Sequence, residues 1–103
     1  MLRYKVEKLK IVYPETSKKT ILTIPEGKEV DLVAIGSTWE SGVIVFLEVE
    51  GNRLVEYVSD TFMTQGNYNP LEGKLTGPTS VQVGGERLES GESEIYVTLV
   101  WRE

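Results

Sequence analysis

Apolar residues in this chain recur at every second position and almost nowhere at helical spacing, and that periodicity constrains its fold more than any other feature. The clearest case is the stretch EIYVTLVW. There Ile95, Val97, Leu99 and Trp101 share one side, and Tyr96, Thr98 and Val100 share the other. Similar β-branched runs are separated by Gly, Pro and Asn at intervals of about 8–12 residues, the pattern of an antiparallel sandwich or small barrel. Strands are predicted from Leu2 to Tyr13, Thr20 to Ile24, Val30 to Ile35 and on both arms of a hairpin between Gly42 and Ser59. Two short strands are expected either side of Gly77-Pro78, and a last one over EIYVTLVW. The pattern fades between Ser59 and Asn69, and GGERLESGESE reads as an acidic connection. The sum is one all-β domain of roughly seven to nine short strands, a jelly-roll-like antiparallel β-sandwich over residues 1–103.

Two details carry structural questions. The first strand changes phase, from Leu2, Tyr4 and Val6 to Leu9, Ile11 and Tyr13, which predicts a bulge or a crossing between sheets. In GVIVFLEVEGNRLVEYVSD, a two-residue Gly51-Asn52 turn would pair Val49 with Leu54, Phe46 with Tyr57 and Glu50 with Arg53. Both faces of that hairpin are apolar away from its tip. A second sheet covers one of them. Ile44, Phe46 and Tyr57 on the other then need a cover: a loop of the same chain carrying Phe62, Met63 and Leu71, a sister subunit, or a ligand. Large open apolar patches are uncommon on soluble monomers, so Ile44, Phe46 and Tyr57 are read as a self-association surface.

Composition narrows the chemistry. The 103 residues contain no histidine and no cysteine, which removes the usual general base near neutral pH, the commonest transition-metal ligand and all thiolate chemistry. A net charge of −5 argues against a binder of nucleic-acid backbones. Glutamate far outnumbers aspartate while Asn and Gln are scarce, a composition that leans towards a thermophilic source. The N-terminus lacks the apolar core of a signal peptide, and the longest apolar run, Val43 to Leu47, is too short to span a bilayer. An intracellular or virion-associated location without membrane contact is expected.

No catalytic constellation emerges. Glu48 and Glu50 lie on a solvated strand end, no serine sits in a G-x-S-x-G elbow, and Gly84-Gly85 lacks the spacing of a phosphate loop. Glu86, Glu89, Glu92 and Glu94 do not follow the spacing of a calcium loop, so no metal or cofactor is expected. Arg3, Lys5, Lys8, Lys10, Lys18 and Lys19 make the first twenty residues basic. They suit an edge strand blunted by lysines, pairing with an acidic neighbour strand, or a head-to-tail contact with another subunit's acidic patch. The best site signal is aromatic. Trp39 in STWESG and Tyr68 in QGNYN, with Asn67 and Asn69 beside it, stand among small polar residues. Trp39 fits three roles: a plug for the end of the sandwich, a protein contact, or a platform for a sugar ring.

The segments IPEGKEVDLVAIG, GVIVFLEVEGNRLVEYV and LESGESEIYVTLVW together resemble small jelly-roll-like β-sandwich structural proteins of viruses and phages. These run strand, short Gly turn, strand, and end with an L-x-x-G turn into the last strand. The resemblance implies a non-enzymatic role in a virion or its assembly, with the chain itself or other structural proteins as partners. Carbohydrate-binding modules share the architecture, which keeps a sugar-binding role for the loop aromatics as the alternative.

Overall fold

A computed structural model describes residues 1–59 and 68–103. The strands are β1 (Leu2–Val12), β2 (Ser17–Ile24), β3 (Glu29–Ser37), β4 (Val43–Val49), β5 (Asn52–Val58), β6 (Tyr68–Pro70), β7 (Lys74–Thr76), β8 (Thr79–Arg87) and β9 (Glu92–Arg102). They form two antiparallel sheets. One has the order β1-β9-β3-β6, with β7 also pairing β3; the other has the order β2-β8-β4-β5. From β1 to β4 successive strands alternate between sheets, because each buries one face and the next must close over it, whereas β5 folds back beside β4, and β6 and β7 both pair β3. This interleaved order is that of a jelly roll.

Alternation places the core. Leu9 and Ile11, Val30, Leu32 and Ile35, and Ile95, Val97, Leu99 and Trp101 project inward from the first sheet. They meet Ile21 and Ile24, Val43, Val45 and Leu47, and Val81 and Val83 from the second. Strand β3 is apolar on both sides yet buries only one. A bulge between Leu32 and Ala34 changes its phase, so Val30 and Leu32 before it and Ile35 after it all face the core.

Three expectations are corrected. Strand β1 has neither bulge nor crossing: it pairs β9 without a break from Leu2 to Val12. Its two apolar phases lie on two faces, Leu9 and Ile11 in the core, Leu2, Tyr4 and Val6 on the outer surface. The acidic connection is mostly strand, with Glu86 in β8 and Glu92 and Glu94 in β9. Glu94 and Glu92 lie opposite the β1 lysines, 3.1 Å from Lys8 and 4.0 Å from Lys10. This is the expected pairing of a basic edge strand with an acidic neighbour.

The hairpin turns one residue earlier than predicted. Glu50 (φ 51°) and Gly51 (φ 81°) are its central residues, and two positive φ values make a type I′ turn, whose twist suits the flanking strands. Leu54 is then an extra residue between the Glu48–Arg53 and Leu47–Val55 pairs. Beyond it Val45 opposes Tyr57 and Phe46 opposes Glu56. A one-residue slip exchanges the faces of a strand. Val55 and Tyr57 therefore pack against the core, while Glu56 and Val58 share the outer face with Phe46 and Ile44.

Candidate interaction surface

The two outer faces of the sandwich differ in kind. On the β2-β8-β4-β5 sheet Phe46 is fully buried although it points away from the core. It lies against Gly84, its partner on β8, where an added Cβ would sit 2.2 Å from the ring. Arg53 closes it from above, its guanidinium carbon 3.8 Å from the ring centroid. The same guanidinium lies 2.9 Å from Glu86 and 3.8 Å from the buried carboxylate of Glu48, which Lys18 also reaches at 3.2 Å. Thr16 donates a hydrogen bond to Glu86 at 3.1 Å. The hydrogen bond from Arg53 holds the Glu86 carboxyl below its ordinary range, with Thr16 adding to it, against the opposing effect of partial burial. The cover for the second apolar face is thus an arginine of the same hairpin. Of the three residues assigned to self-association, Ile44 is half-buried on the outer face, Phe46 lies beneath Arg53, and Tyr57 is on the core side. They do not share one surface. Phe62 and Met63 lie outside the described residues, and Leu71 is in the core.

Among the described residues no side chain closes the outer face of the β1-β9-β3-β6 sheet in this way. Register orders it in rows: Tyr4, Val100, Ala34 and Pro70 form one, and Val6, Thr98, Gly36 and Tyr68 the next. Small residues occupy the middle strands, so the floor is low between taller side chains on either side. On β1, Leu2, Tyr4 and Val6 are 57%, 74% and 45% exposed. Beside this strip Gly36, Ser37, Thr38, Trp39, Tyr68, Tyr96 and Thr98 line a depression of about 380 Å³.

The predicted aromatic pair, Trp39 and Tyr68, therefore meets in one place, about half exposed, with Tyr96 as a third wall. Trp39 is not a plug. The end of the sandwich beside it holds a polar cluster instead. Arg87 donates to the Ser93 hydroxyl, Ser93 donates to the Glu40 carboxylate at 3.3 Å, and Ser59 donates to the Glu40 carbonyl. Asn69 is buried on the opposite side of β6 from Tyr68, its amide nitrogen without a partner among the described residues. Asn67 lies outside the described residues. Tyr96 and Thr98 escaped the sequence reading as site residues; their side of the last strand was legible, but not which strands flank it. Gly36 carried a signal, since a glycine within a strand marks a close approach. Among the described residues no group of carboxylates is placed to hold a metal ion, and no helix is long and apolar enough to cross a membrane.

Fold and surface define an all-β jelly roll with one self-satisfied face and one open aromatic face. No protein-family model and no curated protein matches the chain. Among solved structures it is similar to a chain of the Sulfolobus Turreted Icosahedral Virus particle, with a TM-score of 0.67 and 12% identity, covering 99% of this chain and 29% of that one. It is also similar to a chain of the acid-stable capsid of Helicobacter pylori bacteriophage KHP30, with a TM-score of 0.57 and 12% identity, covering 100% of this chain and 94% of that one. The chain thus spans under a third of the first and nearly all of the second. The likeness is one of fold, and it is the viral jelly-roll fold that the sequence resembles.

Proposed function

We propose that this chain is a non-enzymatic structural component of a virus particle, associating with copies of itself through the outer face of β1 and β9. The observation that carries this reading is the strip formed by Leu2, Tyr4 and Val6 beside Val100. Contiguous apolar surface at the edge of a soluble domain marks a contact site. The capsid origin of the similar folds supports the same reading. The outer edge of β1, without a partner strand among the described residues, is guarded by its charged side chains, so copies meet through the strip and do not extend the sheet.

Sedimentation of the wild type and of the double variant Tyr4→Glu, Val6→Glu tests it. Both side chains are exposed, so the variant keeps its fold and sediments as a single 11.6 kDa chain, whereas the wild type sediments as a larger species. Equal masses for the two would remove the strip from the account.

A further inference from the structure

We infer that the depression walled by Trp39, Tyr68 and Tyr96 is a binding site for a neutral sugar ring. Its volume, about 380 Å³, falls within the range of small-ligand clefts. Its make-up selects the ligand class. Three aromatic side chains offer flat apolar surface of the kind that packs on the C–H face of a pyranose. Around them stand the hydroxyls of Thr38, Thr98 and two tyrosines, which match a hydroxyl-rich rim. No Lys, Arg, Asp or Glu lines it among the described residues. From these residues a phosphate, carboxylate or ammonium ligand would gain no countercharge, and a neutral one loses nothing.

The loop carrying Trp39 is held on both sides. The Thr38 amide donates to the Tyr96 carbonyl at 3.1 Å, and the Tyr96 amide donates to the Thr38 hydroxyl at 3.0 Å. Ser37 donates to the Thr38 carbonyl at 2.9 Å, and the Glu40 amide donates to Ser59 at 3.4 Å. A platform fixed before binding loses little conformational freedom when a ligand arrives, which is how a shallow site holds a small ring. Gly36 and Thr98 keep the floor low enough for a ring to settle between the aromatic walls. The site adjoins the Leu2–Tyr4–Val6 strip, since Val6 pairs with Thr98 and Tyr68 also borders a depression with Leu2, Tyr4 and Val100. None of the three strip residues lines it, so sugar binding is read at Trp39 apart from the association reading.

The two tryptophans make the test internal. Trp39 is half exposed at the site, and Trp101 is buried in the core. The full-length chain, labelled with nitrogen-15, is titrated with maltose, cellobiose and lactose while both indole N–H signals are followed. With at least one disaccharide, the Trp39 signal should move to saturation with millimolar affinity while the Trp101 signal stays still. Tyr96→Ala, read at the Trp39 indole, and Trp39→Ala, read at the Gly36 amide, should each weaken binding by about tenfold. A Trp39 signal that stays still with all three sugars up to ~20 mM overturns the inference, since that is far above the Kd of a weak ~1 mM site. So does binding that survives both aromatic substitutions. If Trp39→Ala instead lowers the mass of the assembled protein, the aromatic walls belong to a subunit contact and the sugar site is wrong.

Discussion

Phe46 and Gly84 show how one side chain is stabilised on what should be a wet face. The ring fits because its β8 neighbour has no Cβ, and Gly84→Ala would set a methyl group 2.2 Å from a ring carbon. Overpacking of this kind costs about 1–3 kcal/mol, so denaturant unfolding of Gly84→Ala should show a loss in that range. The loss should shrink in a Phe46→Leu background, because the two residues share one space. Above the ring, Arg53 links Phe46 to Glu86 and Glu48. Glu86 has its pKa lowered in the folded state, chiefly by the hydrogen bond from Arg53. Its ionised form therefore adds stability above the unfolded-state pKa, and that contribution fades as pH falls through the folded value. Wild type should exceed Glu86→Gln in stability at neutral pH, and acid titration of both should bring the curves together only as pH falls through the lowered folded-state pKa of Glu86. A gap that stays constant with pH would mean that Glu86 acts through shape alone.

At the scale of strands, alternation was enough to find β1, β3, β4, β5 and β9 to within a few residues, since each buries one face and a period of two is hard to miss. Strand β6 was lost because three residues are too few to show a period. The hairpin register was lost for a different reason. Glu50 is an unusual occupant of a position with positive φ, so the turn signal of Gly51-Asn52 pointed one residue too far along. The bulge at Leu54 then moved Tyr57 from the outer face to the core side and turned a predicted open surface into a closed one. The aromatic corner was legible in part: Trp39 and Tyr68 stood out by their company, but Tyr96 joins them only because β9 lies between β1 and β3. The turn gives an element-scale test. Gly51 has φ 81° and nothing within 4 Å of a built Cβ, so Gly51→Ala adds backbone strain without a clash. It should cost about 1–2 kcal/mol in thermal or denaturant unfolding, with the sugar corner unaffected.

Across the whole molecule, charge and apolar surface act in opposite directions on association. A net charge of −5 makes copies repel one another at low ionic strength, while burial of the Leu2–Tyr4–Val6 strip does not depend on salt screening. Association through the strip should therefore persist or strengthen as salt rises. A head-to-tail contact between the basic β1–β2 rim and acidic residues elsewhere would weaken instead. One measurement bears most directly on the structural role: the absolute mass of the wild-type chain by light scattering on a size-exclusion column, over a dilution series at low and high salt. A mass above 11.6 kDa that survives dilution into the micromolar range and is retained at high salt is the predicted result. A mass of 11.6 kDa under every condition would contradict self-association through this face.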